Sequence, residues 1–170
     1  GKNSAPFGRD AEMYDTTIGW RFTNPKLAKL FHPYSMGETA ENLAEKYKIS
    51  RESQDEFAFN SQLKAKAAIE SGKFKDEIFP VELFSKKDKL IFDTDEFPRF
   101  DTTMEKLTTL RPAFREGGTV TAGNSSGIND GASMIMLASE EFIKKHDLKP
   151  RARYVSSAIA GVDPSCMGIG

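Results

Sequence analysis

The apolar positions of the chain recur at helical spacing in its first half and at strand spacing afterwards. Ala40, Leu43, Ala44 and Tyr47 fall at i, i+3, i+4 and i+7, so residues 40–48 are expected to form a helix with Thr39 as N-cap. Ser50 is the expected cap of a second helix from Arg51 to about Ser71, which Gly72 stops. Its stripe of Phe57, Ser61, Ala65 and Ala68 carries small residues that permit close packing. The period then shortens. Residues 77–84 read as a strand, with Pro80 marking an edge, and residues 90–92 return as its hairpin partner across the polar turn 85–89. Residues 93–101 read as an acidic loop. Thr102 or Thr103 caps a short helix to Leu110, which Pro112 ends.

Residues 118–132 hold four glycines among small polar residues and lead into an apolar run at 132–138. This reads as a tight crossing with exposed backbone groups, followed by a strand. Ser139 caps a short helix whose acids open it and whose bases close it, which gives His146 a structural reason for its position. Residues 151–160 read as a further strand, and 161–170 as an open glycine-rich end. Strand, helix and strand make one βαβ unit whose sheet continues elsewhere. At the other end, residues 1–33 spread aromatics and prolines without a period, as an extended arm does, and Pro25 is placed to start a short helix.

Composition narrows the chemistry. The 170 residues carry a formal net charge of −1, with 29% charged and 38% hydrophobic residues. That is a globular profile, and the near-zero charge argues against bulk nucleic-acid binding. No apolar run is long enough to span a bilayer, so no membrane partner is expected. The chain opens Gly1-Lys2-Asn3 without a methionine or a signal-peptide core, and reads as a piece of a longer protein. Cys166 is the single cysteine, and His32 and His146 are the only histidines. An internal disulfide is therefore impossible, and His-based metal ligation is poorly supplied. The carboxylates Glu52, Asp55 and Glu56 read as surface residues that complement a helix dipole rather than as acid–base machinery.

Five stretches, in order, carry a resemblance over nearly the whole chain. They are residues 35–42 (SMGETAEN), 49–58 (ISRESQDEFA), 110–114 (LRPAF), 118–132, and 162–164 with 167–170 (VDP and MGIG). Together they resemble the thiolase family, acetyl-CoA acetyltransferases and 3-ketoacyl-CoA thiolases. The resemblance implies an α+β fragment of the α/β thiolase fold: a helical loop domain with a β-hairpin, then an incomplete βαβ unit. It places the loop domain at residues 1–128, the last strand and helix of the first thiolase half at 129–149, and the first strand of the second half at 150–170. It implies an acyl-CoA C-acyltransferase as the whole protein, a homodimer or homotetramer, with coenzyme A as substrate and no permanently bound cofactor. Cytoplasm is the default location, with an organelle left open.

The same resemblance implies that the chemistry lies outside the chain. The family's nucleophilic cysteine, its second cysteine and its Gly-His-Pro histidine have no counterpart motif here, and Cys166 sits in a different context. No catalytic and no metal-binding residue is therefore expected, and the piece alone should be inactive. What carries over is a surface for the CoA moiety of acyl-CoA and 3-ketoacyl-CoA. Ser126, Ala122 and Gly123 match residues along the pantetheine arm, Phe114 an aromatic flanking it, Met36 and Met167 methionines near the thioester, and Arg99 a basic residue near the nucleotide phosphates. Core packing is the plain alternative for the methionines, and pairing with Asp93, Asp95 or Glu96 the alternative for Arg99. Two departures stand out. Ser35 replaces a histidine usual in short-chain biosynthetic members, and Lys106 replaces a serine found near CoA in some members. A non-catalytic CoA-ester or lipid-binding relative is the rival reading.

Overall fold

The computed structural model describes residues 20–84 and 88–170. It divides into two units, Gly1–Gly127 with Val162–Gly170, and Ile128–Gly161. Most of the aromatic arm at 1–19 and the hairpin tip at 85–87 lie outside the described residues.

Helix α1 (Pro25–Leu30) starts where Pro25 predicts, with the Asn24 side chain accepting from the Lys26 N–H. Helix α2 (Met36–Tyr47) starts four residues earlier than expected. Its cap is Ser35, not Thr39. Ser35 Oγ accepts from the Glu38 N–H, and the Glu38 carboxylate accepts from the Ser35 N–H at 2.7 Å. This reciprocal pair satisfies two otherwise orphaned donors, which one Thr39 hydroxyl does not match. Thr39 instead lies buried inside the helix and donates to the Met36 carbonyl. Ala44 is buried as expected, but Tyr47 is exposed. The buried face of α2 is Gly37, Thr39, Glu41 and Ala44.

Helix α3 (Arg51–Glu70) has Ser50 as its cap, and Gly72, at φ 71°, turns the chain away after it. The predicted stripe turns inward only in its second half. Phe57 and Ser61 face solvent, while Ala65 and Ala68 are half-buried on a protected side that also carries Gln54, Asp55, Ala58, Gln62 and Ile69. Polar partners on the glycine-rich stretch, not apolar ones, decide which side turns in. Asp55 is fully buried, which overturns its reading as a surface dipole residue; Glu52 and Glu56 are exposed as expected. The Glu52 carboxyl is held below the usual carboxylate range by its own backbone N–H and by Ser50.

Successive turns take up residues 72–78, so the hairpin begins only at β1 (Val81–Phe84), just after Pro80. It pairs antiparallel with β2 (Lys89–Phe92), Val81 opposite Phe92 and Leu83 opposite Leu90. Thr103 caps α4 (Met104–Thr108), which packs against α3 and buries Leu107. The end of the chain is not open. Pro164–Ile169 forms a 3-10 helix packed on α2, tied by Asn42 Nδ2 donating to the Ser165 carbonyl.

In the second unit, Ser139 caps α5 (Glu140–Lys145), and the rings of Phe142 and His146 stack at 4.2 Å. The strands expected at 132–138 and 151–160 are not formed. A strand exists through the ladder that takes its N–H and C=O groups, and no described segment pairs with either. Met134 is 97% exposed.

The capping box sets two measurable expectations. Ser35→Ala should cost about 1 kcal/mol in a urea unfolding curve. The Ser35 N–H, ahead of other causes, holds the Glu38 carboxyl below its ordinary value. A depressed carboxylate stabilises the fold above the ordinary range and loses that contribution as pH falls through its lowered value. Glu38→Gln should therefore flatten the acid limb of the midpoint-against-pH profile.

Candidate functional site

The glycine-rich stretch is anchored to α2 by a carboxylate. Glu41, 3% exposed, accepts from the Thr119 N–H at 2.9 Å and the Val120 N–H at 2.7 Å through Oε1, and from the Thr119 hydroxyl at 3.1 Å through Oε2. The approach is possible because residue 118 is glycine; a Cβ there would collide with the Glu41 carboxylate. The stretch is also tied to α3. Asn124 Nδ2 donates to Asp55 Oδ1 at 3.0 Å and to the Thr119 carbonyl at 3.1 Å, while Asn124 Oδ1 accepts from the Thr121 N–H at 2.8 Å. Arg51 completes the network. Its Nε lies 2.7 Å from Asp55 Oδ2, and its Nη2 donates to the Leu107 and Leu110 carbonyls. Gln54 Nε2 adds a bond to the Thr119 hydroxyl at 2.9 Å.

A short bridge between Pro112 and Thr121 closes the segment, with the Ala113 N–H donating to Val120 O. Thr121 is fully buried, and its hydroxyl accepts from the Gly123 and Asn124 N–H groups. Such local side-chain bonds fix a turn that glycine alone would leave loose. Gly123 lies against Leu107 and Leu110, and Gly127 against the Phe97 ring.

The seven residues expected at a CoA site fall into two groups. The first is on α2. Phe114 lays its ring on Gly37, so close that any side chain at 37 would overlap it, and Met36 stands exposed beside this contact at the start of the helix. Met167 lies on the 3-10 helix, which meets α2 at Asn42, Leu43 and Lys46, about two turns further along. Both methionines are substantially exposed, Met36 at 74% and Met167 at 45%, so core packing does not account for them. The second group is on the anchored stretch. Ala122 and Ser126 are exposed, Gly123 is half-buried, and Ser126 adjoins Gly127 where it touches Phe97. Arg99 follows Phe97 by two residues on that same loop. It is exposed, donates its N–H to Gln62, and forms no salt bridge with Asp93, Asp95 or Glu96. Lys106 instead pairs with Asp101 at 2.6 Å, which holds the Asp101 carboxyl below its ordinary value.

Sequence reasoning missed Glu41, Asp55 and Asn124. The Arg51-x-x-x-Asp55 spacing signals a helical ion pair, and Asn124 after Gly123 signals a side chain bonding its own turn. Neither signal says that the two meet across 69 residues. Cys166 is buried, with Lys46 Nζ 3.9 Å from its sulfur. Among the described residues no cluster of three histidines, cysteines or carboxylates is arranged to hold a metal, and no helix is long and apolar enough to cross a membrane. A cavity of about 260 Å³ lies between the end of α3 and the base of the hairpin, lined by residues such as Ile69, Phe74, Ile78 and Asp93. No residue of the two groups lines it.

The family model for the thiolase N-terminal domain matches residues 8–141. The chain belongs to the thiolase family. It is 51% identical over 171 residues to the 3-oxoadipyl-CoA/3-oxo-5,6-dehydrosuberyl-CoA thiolase of Escherichia coli, covering all of this chain and 43% of that protein. The solved structure of the Bacillus anthracis acetyl-CoA acetyltransferase superposes with a TM-score of 0.82 at 45% identity, over 96% of this chain and 41% of that one. Human mitochondrial 3-ketoacyl-CoA thiolase in complex with CoA superposes with a TM-score of 0.74 at 49% identity, over 81% and 34%. The chain thus spans less than half the length of these thiolases.

Within this thiolase segment, Asp55→Ala leaves Arg51 and Asn124 without their shared acceptor. Breaking a buried pair in this way should cost roughly 3–5 kcal/mol in denaturant unfolding. Glu52→Ala, one turn nearer the exposed start of the same helix, should leave the curve nearly unchanged.

Proposed function

We propose that this chain is the CoA-covering part of an acyl-CoA C-acyltransferase that cleaves 3-ketoacyl-CoA with CoA or condenses acyl-CoA units. In this reading residues 1–128 are the loop domain, 129–149 the last strand and helix of the first thiolase half, and 150–170 the entry to the second half. The unformed strands at 132–138 and 151–160 are then sheet members whose neighbours belong to the remainder of the subunit. The catalytic cysteines and histidine come from that remainder as well. Homo-oligomers of such subunits are the expected assembly.

The observation that carries the reading is the state of Ser126. It stands two residues beyond the anchored turn, exposed, and its hydroxyl makes no hydrogen bond among the described residues. A hydroxyl held this way is free to serve an amide of the pantetheine arm. Phe114 and Met36 offer an adaptable apolar wall to the acyl and thioester end. Arg99, whose guanidinium forms no salt bridge among the described residues, is available to nucleotide phosphates. Likeness to a thiolase with CoA bound supports the same ligand.

A ligand that binds only the folded state raises the unfolding midpoint. Titrating CoA into the chain should therefore raise its thermal midpoint in a concentration-dependent way; a flat midpoint up to millimolar CoA would contradict a preformed site. Ser126→Ala should weaken CoA binding by about 1 kcal/mol, the net value of one hydrogen bond, measured by calorimetry. Loss of binding altogether would mean that Ser126 has a different role.

A further inference from the structure

We propose that Glu41, Asp55 and Asn124 are positioning residues that preset the wall of the CoA site, an inference that deepens the functional reading above and rests on it. None of the three belongs to the proposed ligand-contacting set; Glu41 and Asn124 bond backbone groups of residues 119–121, and Asp55 acts on them through the Asn124 amide. Glu41 takes both consecutive N–H groups of Thr119 and Val120. Asn124 then closes the next turn by taking the Thr121 N–H and giving to the Thr119 carbonyl. Asp55 holds the Asn124 amide from below, so that its oxygen faces Thr121 and its nitrogen faces Asp55.

The consequence lies two residues on. Ser126 is within about 7 Å of Asn124 by chain length alone, so the placement of its hydroxyl follows the placement of that turn. A run of glycine and serine without these anchors samples many conformations, and binding would have to order it. With the anchors the ordering is done during folding. Two helices, α2 and α3, thus both set one loop, and the buried carboxylates are the joints.

The test uses two readouts on the 170-residue chain. The first is amide hydrogen exchange of residues 119–124 without ligand. The second is the CoA dissociation constant from calorimetry, taken where each variant is folded. Asn124→Ala and the size-preserving Glu41→Gln should speed exchange selectively at 119–124 and raise the CoA dissociation constant about tenfold, as expected for losing hydrogen bonds to a buried carboxylate. Ile69→Ala, at the other end of α3, supplies a comparison variant with a general loss of packing; it should leave local exchange and CoA affinity at wild-type values. The proposal is overturned if exchange at 119–124 is unchanged in both anchor variants, or if Ile69→Ala weakens CoA as much as they do. A wild-type chain that binds no CoA overturns the functional reading and the ligand named here. The exchange result then still reports separately on the anchoring.

Discussion

The bond on which the first unit depends is the one from the Glu41 carboxylate to the Thr119 and Val120 N–H groups. It joins residues 78 and 79 apart in sequence and is almost wholly removed from solvent. A carboxylate leaves water at substantial cost unless its oxygens are fully met, and here each oxygen has donors. The bond also explains two residue choices. Gly118 is needed because the carboxylate comes too near for a Cβ, and α2 turns its Gly37–Ala44 face inward because Glu41 lies on it. With Asp55 held between Arg51 and Asn124, the unit has a polar interior built around a loop, and little of the apolar core its size would allow.

That polar interior explains what the sequence disclosed. Helices α3, α4 and α5 were legible from their caps, because a Ser or Thr side chain bonding a nearby N–H is a local event. The hairpin was legible from two short apolar runs on either side of a polar turn. The start of α2 was not, since Thr39 and Ser35 both look like caps and only the Ser35–Glu38 reciprocity chooses between them. The inward face of the first half of α3 was missed for a deeper reason. Periodicity assumes that apolar residues turn in, whereas here Asp55 and Gln54 do so to meet residues 119–124. Long-range polar pairing leaves no periodic trace. The strands at 132–138 and 151–160 fail for the complementary reason: their apolar pattern is genuine, but a ladder needs partners that no described residue supplies.

The candidate site residues were named only through family resemblance, and the fold adds the anchoring of the loop that carries some of them. Composition alone makes residues 118–132 a plain loop. Anchored by Glu41, Asp55 and Asn124, the first part of that loop has its N–H groups met by side chains as a capped helix end does, and the exposed Ser126 follows two residues on. The chain's membership of the thiolase family is what turns attention to this loop, and Phe114, packed on Gly37, forms a separate apolar contact at the start of α2.

The central claim is that this anchored stretch is one wall of a CoA site. The most direct measurement is a crystal structure of the chain grown with CoA. The account predicts pantetheine density alongside Ser126 and the Phe114 ring, with residues 119–124 unmoved from their ligand-free positions. CoA bound elsewhere, or a stretch that rearranges to receive it, would contradict the account.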